Sequence, residues 1–235
     1  MQPIILTIET STVPFSVVVS RGSEILSDIS NENRTELASQ LTLMIQSCCQ
    51  EASIELSQLH GIAIAPGPGS YTGLRIGMAV AKGLCFALDI PLMLISGYEA
   101  MAQHVIFSCL NSEQDEIVIC AALDARRDEV YMEVYDAQRV QLLPATSCVL
   151  PASLASLILR PVNTIYCVGD GAYKLPGLLG EGDIHYIVLP VMSSAAYLAP
   201  LALERYHKGK FDSVSDSEPF YLKPPNITTP KNRSL

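Results

Sequence analysis

The feature that most constrains the fold of this chain is an internal repeat. Residues 4–19 read IILTIE, TSTVP and FSVVV in succession, and residues 119–134 read ICAALD, ARRDE and VYMEV. Each copy is an apolar run typical of a buried strand, an acidic residue where that run ends, a polar turn, and a second apolar run. Glu9 and Asp124 are the two acidic ends. The repeat predicts two related units within one chain.

A second pair of segments extends the repeat. GIAIA at residues 61–65 runs into the Gly-Pro-Gly of residues 67–69, and TIYCV at residues 164–168 runs into the Gly-Asp-Gly of residues 169–171. We interpret the whole as two copies of one strand–turn–strand–strand–helix–strand unit. Two such copies predict an α/β fold with two adjacent lobes and a cleft between them.

Periodicity predicts the elements of the first copy. Short apolar runs predict an antiparallel meander of three strands at residues 4–8, 15–19 and 25–29. Apolar residues at helical spacing predict helices over about residues 35–52 and 71–88. Gly77 and Gly83 lie inside the second helix, where each costs about 1 kcal/mol relative to alanine, so we expect another backbone to approach that helix closely.

The same pattern divides the chain into four parts. The predicted parts are a first α/β lobe over residues 1–104, a second α/β lobe over 105–192, a C-terminal helix and strand-like end that pack back on the body over 193–222, and an extended or disordered tail over 223–235.

The charge of the chain limits the partners that it can hold directly. Its 15 Lys and Arg residues against 24 Asp and Glu residues give a formal net charge of −9. An acidic body repels phosphate backbones at long range, so we expect any role with nucleic acid to be indirect. The alternative is that the charge only confers solubility.

Cysteine usage and the N-terminal segment favour a cytoplasmic protein. The seven cysteines are scattered and form no Cys-x-x-Cys pair, which is typical of reduced thiols that act as small hydrophobic residues. The N-terminal segment has no basic region before its apolar run. The longest apolar stretch, residues 84–95, is interrupted by Asp89 and Pro91, so no membrane span is predicted.

The turn after Glu9 offers hydroxyl and amide donors of the kind that hold a phosphate in nucleotide-binding lobes. The candidate residues are Thr10 and Ser11, with Gly169 and Gly171 from the second copy. The alternative is a polar turn that closes a hairpin, because hydroxyl residues favour such turns anyway. A working phosphate site normally has Asp at this strand end, whereas Glu is longer. We therefore expect a vestigial nucleotide site, with no required cofactor and at most weak or residual binding of ATP or ADP.

Glycines also precede the second predicted helix. Gly67, Gly69 and Gly73 lie where backbone N–H groups and the helix dipole attract anions. Their spacing fits neither the G-x-G-x-x-G fingerprint nor a P-loop. Arg75 follows in the first turn of the helix, and it can either contact a phosphate or a partner carboxylate or belong to a solvated face.

Neither metal binding nor nucleophilic catalysis is indicated by the residue pattern. No two histidines are separated by the four positions typical of a helical metal-binding pair. The histidines are His60, His104, His185 and His207. There is no G-x-S-x-G elbow, and no cysteine stands beside a histidine. The sequence therefore predicts no metal site and no catalytic residue.

Six segments together closely resemble the TsaB (YeaZ) family of bacterial tRNA threonylcarbamoyladenosine biosynthesis subunits. In order they are ILTIETST, GPGSYTGLRIGMAVAKGL, PLMLISGYEAMAQ, LDARRDEVY, GDGA and PFYLK, and they extend from about Pro3 to Lys223. The most specific segment is GPGSYTGLRIG, residues 67–77. The resemblance implies two tandem ribonuclease-H-like lobes of the actin-like ATPase (ASKHA) fold, which agrees with the repeat.

The resemblance also implies a role and partners. It implies a non-catalytic subunit that is required for N6-threonylcarbamoyladenosine (t6A) modification of tRNA. The paralogue TsaD would hold the catalytic metal and perform the transfer, and the ATPase TsaE would cycle the complex. The chain would form a heterodimer with TsaD through the first-lobe helices, a homodimer when TsaD is absent, and only indirect contact with tRNA.

A comparison with TsaD supports the assignment to the partner class. In TsaD the strand after the glycine-rich helix leads into a His-x-x-x-His pair that holds the metal. The corresponding positions here are Gly97 and Met101, and neither residue provides an imidazole ligand.

The predicted partner interface lies on the apolar stripes of the two first-lobe helices. Its residues are Leu41, Met44, Cys48, Leu74, Arg75, Met78, Ala81 and Lys82. The alternative is that both stripes pack only on the sheet of their own lobe. Three rival functions stay open at this point: an active nucleotide-dependent kinase or acyltransferase of the same fold, a metallopeptidase, and an interaction protein of another pathway.

Overall fold

The first lobe is built on a five-stranded mixed sheet. The computed structural model describes residues 2–110, 117–149, 162–176 and 184–223. The strands of the first sheet are β1 (Ile4–Glu9), β2 (Phe15–Arg21), β3 (Glu24–Asn31), β4 (Gly61–Ile64) and β5 (Leu92–Leu94). Their order is β3-β2-β1-β4-β5, with β1, β2 and β3 antiparallel and β1, β4 and β5 parallel. The predicted three-strand meander is confirmed.

The second lobe repeats this topology. Its strands are β6 (Ile117–Asp124), β7 (Glu129–Asp136), β8 (Gln141–Val149), β9 (Thr164–Val168) and β10 (His185–Val188). Their order, β10-β9-β6-β7-β8, is the order of the first sheet read from the other edge. The predicted duplication, and with it the fold class of two tandem ribonuclease-H-like lobes, is confirmed.

Four α-helices accompany the two sheets in the described parts of the chain. They are α1 (Leu37–Glu51), α2 (Tyr71–Leu88), α3 (Gly97–Cys109) and α4 (Ala195–His207). A 3-10 turn over Arg34–Glu36 precedes α1. Ser70 caps α2 by accepting a hydrogen bond from the Gly73 amide, and Asp89 in the left-handed conformation ends the helix.

The inner faces of α1 and α2 cover one face of the first sheet. Strand residues such as Leu6, Ile8 and Val17 form the core beneath them. Six side chains predicted for the partner interface are buried within this lobe, and they are Leu41, Met44, Cys48, Leu74, Met78 and Ala81. Their burial agrees with the alternative that both apolar stripes pack on the sheet of their own lobe, and the partner interface itself stays a prediction. Of the other two predicted residues, Arg75 is exposed and Lys82 is half-buried.

The helices α3 and α4 form a layer between the lobes. On α3, side chains such as Tyr98 and Met101 pack against β6 of the second sheet. On α4, Leu198 and Leu201 pack on the face of the first sheet that α1 and α2 leave open. The boundary predicted at residue 104 falls inside α3. Because α3 packs mainly against the second sheet, the whole helix is grouped with the second lobe.

The remaining predictions concern the cysteines, the chain end and membrane spans. All seven cysteines are free thiols, and all except Cys109 are buried. Residues 211–223 follow α4 and pack on the first lobe, whereas the predicted tail lies almost wholly outside the described residues. Within the ranges that the structure describes, no helix combines the length and apolarity needed to cross a bilayer.

Candidate functional site

The carboxyl group of Glu9 lies at the centre of the contact between the lobes. Glu9 ends β1 and is fully buried. One carboxyl oxygen, Oε1, accepts a 2.6 Å hydrogen bond from the Ser11 amide. The other, Oε2, accepts a hydrogen bond from the Ser193 hydroxyl. The Glu9 side chain thus folds back onto the turn that follows β1. It occupies the Ser11 amide, a hydrogen-bond donor that a bound phosphate would need.

The segment that leads into α4 encloses this carboxyl group. Thr12 Oγ1 donates to the Ser193 carbonyl oxygen at 3.3 Å, and the Ala195 amide donates to Ser16 Oγ at 2.9 Å. Burial raises the pKa of the Glu9 carboxyl above its ordinary value, and the hydrogen bonds from Ser11 and Ser193 oppose that rise. No cation among the described residues forms an ion pair with Glu9. Burial without a cationic partner thus disfavours ionisation of Glu9 relative to an exposed glutamate.

The glycine-rich segment covers the same turn from the other side. The Ser70 amide donates to the Ser11 carbonyl oxygen at 2.7 Å. A Cβ atom at Gly69 would overlap that oxygen, and a Cβ atom at Gly73 would overlap the Thr10 carbonyl oxygen. These glycines permit close packing of backbone on backbone, so their position before a helix does not leave an open anion site.

Most of the backbone amides of the four predicted nucleotide-site residues are engaged within the protein. The Ser11 amide is engaged by Glu9. In the second lobe the Gly169 amide donates to the Val191 carbonyl oxygen at 2.8 Å, and the Gly171 amide donates to that of Ala122 at 3.0 Å. Three of the four backbone donors are thus used within the protein. Thr10 packs against α2, where its carbonyl oxygen and its hydroxyl lie beside Gly73 and Gly77.

A small cavity remains between the lobes, with room for about one water molecule. Its lining residues are Ser11, Gly67, Pro68, Gly97, Tyr98, Met101, Leu123 and Ser193. The Tyr98 hydroxyl is buried and has no hydrogen-bond partner among the described groups. Burial raises the pKa of that hydroxyl well above its ordinary value.

Gly97 and Met101, the positions at which the sequence comparison looked for metal ligands, both line this cavity. Met101 provides an apolar side chain, and a Cβ atom at Gly97 would lie 2.7 Å from Ser193 Oγ. A side chain at position 97 would therefore displace the Ser193 hydroxyl. The part of the chain that the structure describes contains no group of three His, Cys, Asp or Glu residues placed to hold a metal ion.

The equivalent turn of the second lobe has a different arrangement. Asp124 ends β6 and is exposed, and its carboxylate forms a 2.5 Å ion pair with Lys174. The Asp124 amide donates to Asp170 Oδ1 at 2.8 Å. The Lys174 ammonium also donates to the Arg127 carbonyl oxygen at 2.8 Å. The Tyr173 hydroxyl donates to Asp124 Oδ2 at 3.0 Å, so the Asp124 carboxylate is held by Lys174 and Tyr173 at the surface.

The outward faces of α1 and α2 carry exposed apolar side chains. Phe86 on α2 is 85% exposed and Leu43 on α1 is 52% exposed. Ala79 and Gly83 are also exposed on α2, and a Cβ atom at Gly83 would meet no atom within 4 Å. We call this set of four residues the outer helix face. Small residues of these helices, Ala79 and Gly83 among them, suit close packing with another helix. Leu43 and Phe86 were not predicted from the sequence, because they lie outside the apolar stripes that were followed there.

Comparisons with known proteins place the chain in a family. A family model described as TsaD, tRNA N6-adenosine threonylcarbamoyltransferase, matches residues 24–178. The tRNA N6-adenosine threonylcarbamoyltransferase of Geobacillus thermodenitrificans is 30% identical over 146 residues, which cover 55% of this chain and 42% of that protein. The tRNA threonylcarbamoyladenosine biosynthesis protein TsaB of Haemophilus influenzae is 33% identical over 234 residues, which cover 93% of each chain. The chain belongs to the TsaB family.

A solved structure of the TsaB (YeaZ) family has the same fold over almost the whole chain. YeaZ from Pseudomonas aeruginosa superimposes with a TM-score of 0.76 at 27% identity, covering 94% of this chain and all of that one. The match to TsaB is thus full-length in sequence and in structure, whereas the match to the transferase covers part of each chain. The absence of imidazole ligands at Gly97 and Met101 agrees with this distinction.

Proposed function

We propose that this chain is a non-catalytic subunit required for t6A modification of tRNA, which binds and supports the catalytic TsaD subunit together with the ATPase TsaE. The observation that carries the proposal is the closed centre of the molecule. In a chain that matches TsaB over its full length, the positions that would hold a metal line a cavity with room for about one water molecule. A cavity of this size at these positions supports a role without catalysis there.

The proposed role is one of binding, and the outer helix face is its surface. Leu43 and Phe86 expose large apolar side chains on two neighbouring helices. Ala79 and Gly83 let the backbone of a partner helix approach α2 closely. We propose that the homologous lobe of TsaD packs on this face, and that a second copy of the chain does so when TsaD is absent. Contact with tRNA would then be indirect, and the site of action would be the cytoplasm.

We further propose that the interlobe cleft of the isolated chain needs no nucleotide. Glu9 already accepts a hydrogen bond from the Ser11 amide, and the amides of Gly169 and Gly171 donate hydrogen bonds within the second lobe. Titration of the isolated protein with ATP and Mg²⁺ in a calorimeter is expected to give no binding in the micromolar range. Micromolar binding with turnover would favour a kinase or acyltransferase instead.

Reconstitution tests the proposed role directly. Purified TsaD and TsaE with tRNA and the threonylcarbamoyl donor should form t6A, measured by mass spectrometry of the nucleosides, only when this chain is added. Formation of t6A at the same rate without the chain would contradict the role. Stoichiometric zinc or iron in the purified chain would favour a metallopeptidase.

Substitutions on the outer helix face test the surface. Phe86→Asp and Leu43→Asp place a charge at exposed apolar positions, and each is expected to weaken TsaD binding by about 30-fold or more. Phe107→Asp is the matched control, because Phe107 is 78% exposed on α3, outside the proposed surface. Equal losses for all three variants would place the interface elsewhere.

A further inference from the structure

A C-terminal strap, residues 211–223, runs along α2. Asp212 Oδ2 accepts the Leu94 amide at 2.8 Å where the strap begins. Lys82 Nζ on α2 donates to the Ser215 and Ser217 carbonyl oxygens at 3.0 and 2.9 Å. These contacts fix the strap beside α2 and explain why Lys82, a predicted interface residue, is already engaged within the chain.

The strap ends at an aromatic and cationic cluster over the first turns of α2. The Arg75 guanidinium carbon lies 4.2 Å from the centre of the Tyr71 ring. Arg75 Nε donates to the Tyr221 hydroxyl at 3.0 Å, and the centres of the two tyrosine rings are 4.9 Å apart. The Phe220 amide, next to Tyr221, donates to the Pro66 carbonyl oxygen at 2.7 Å. Arg75 is therefore held by α2 on one side and by the strap on the other.

This arginine is oriented and still exposed. Its contact with the Tyr71 ring uses a face of the guanidinium, and its bond to Tyr221 uses one of five N–H donors. No carboxylate in the described parts of the chain forms an ion pair with it. The hydrogen bond to Tyr221 raises the pKa of Arg75, so the side chain stays charged. The guanidinium is thus held in place by Tyr71 and Tyr221, and in the described parts of the chain no carboxylate pairs with it.

We propose that Arg75, held between Tyr71 and Tyr221, is the polar anchor of the partner surface and receives a carboxylate side chain of the partner subunit. A planar guanidinium binds carboxylates in a two-pronged geometry. Arginine and tyrosine are the residues that most often dominate binding energy at interfaces, and a side chain ordered beforehand loses less entropy on binding.

Two features of the chain favour a protein carboxylate over a nucleic-acid phosphate. Arg75 lies on the same helix as Ala79, Gly83 and Phe86, one turn before Ala79, so the cluster is continuous with the outer helix face. The net charge of −9 opposes the approach of a polyanion. The inference rests on the proposed function, since it assigns one contact within the proposed partner surface.

Titration calorimetry of TsaD binding at 50 and 500 mM NaCl tests the anchor. We expect Arg75→Gln to weaken binding by about ten-fold at low salt and to reduce the salt dependence of the affinity, because one ion pair is lost. Arg75→Lys should restore little of the affinity, since an ammonium lacks the planar fork. Tyr221→Phe, which removes the hydroxyl and keeps the ring, should weaken binding by about three-fold by releasing the guanidinium.

Arg21→Gln is the matched control, because Arg21 is exposed at the end of β2, away from α2. Thermal unfolding of each variant verifies that the fold is retained. Unchanged affinity and salt dependence for Arg75→Gln would overturn the anchor while leaving the proposed function intact. Failure of the wild-type chain to bind TsaD would instead overturn the proposed function. If Arg75→Gln keeps its affinity for TsaD but lowers the affinity of the complex for labelled tRNA, the cluster contacts nucleic acid and the proposal is wrong.

Discussion

At the scale of single residues, the two copies of the repeat use the same strand end in opposite ways. Glu9 is buried and accepts hydrogen bonds from Ser11 and Ser193. Asp124 is exposed and pairs with Lys174. The difference arises because the chain that enters α4 covers the first turn, whereas the second turn faces solvent. Glu9 is thus a structural group that closes the lobes together.

We expect Glu9→Gln to gain stability relative to the wild type as the pH rises. Burial raises the folded-state pKa of Glu9 above 4.5. The contribution of Glu9 to the stability of the wild-type protein is therefore fully present below pH 4.5, and it is lost as the pH rises through the raised pKa. Each unit of that rise corresponds to about 1.4 kcal/mol in the free energy of unfolding. Urea denaturation of both proteins from pH 5 to pH 8 measures the difference.

The control for this comparison is Glu24→Gln, an exposed glutamate on β3. The free energy of unfolding of Glu24→Gln should change with pH in the same way as that of the wild type over this range. A constant difference between Glu9→Gln and the wild type would show that Glu9 is already ionised in the folded protein.

At the scale of elements, α2 connects the core, the turn after β1 and the proposed partner surface. Its inner face is buried on the first sheet, and its first turn covers the backbone of Thr10 and Ser11. Its two internal glycines serve different faces. A Cβ atom at Gly77 would overlap Thr10 Oγ1, whereas one at Gly83 would meet no atom within 4 Å. The atoms that approach Gly77 belong to the side chains of Thr10 and Ile64, so the backbone approach predicted there is not observed, and at Gly83 the approach of a partner backbone stays a prediction.

Alanine substitutions at these glycines should change stability in opposite directions. Gly77→Ala forces Thr10 away from the helix and is expected to lower the free energy of unfolding by about 1–3 kcal/mol. Gly83→Ala meets open space and is expected to raise it by up to about 1 kcal/mol through helix propensity. Urea denaturation followed by circular dichroism measures both. A loss of stability at both positions would show that Gly83 is also enclosed.

At the scale of the whole molecule, the lobes are joined by an exchange of helices. The helix α3 leaves the first lobe and packs on the second sheet, and α4 returns from the second lobe to cover the first sheet. His104 on α3 stacks on Tyr197 of α4 at 4.0 Å between ring centres. The first lobe thus packs against a helix that begins 101 residues after the end of its last strand, from Leu94 to Ala195.

We expect a truncated chain of residues 1–110 to be unable to fold on its own. Without α4, the apolar residues Ile5, Ala63 and Met93 of the first sheet would be exposed to water. Heteronuclear NMR should show poorly dispersed amide signals for this fragment. Residues 1–223, which keep α4 and the strap, form the control and should give a dispersed spectrum. A folded 1–110 fragment would contradict the interdependence of the lobes.

The local elements could be predicted from the sequence because they depend on local patterns. The period of apolar residues gave α2 its observed limits, and the repeat predicted a second sheet of the same topology. The strands β8 and β10 were not assigned individually, because both are only partly buried and lack a continuous apolar run. Six of the eight residues predicted for the partner surface are buried within the first lobe, because apolar periodicity identifies the face of a helix that packs inward.

The sequence by itself determined the duplicated α/β fold, the family and the absence of imidazole at Gly97 and Met101. Only the tertiary structure decided what the glycine-rich segment does and how the cleft is closed. Ser193 lies 184 residues from Glu9 along the chain, and Tyr221 lies 146 residues from Arg75. Pairings at such separations leave no periodic trace in a single sequence, because they depend on how the lobes and the strap pack against each other.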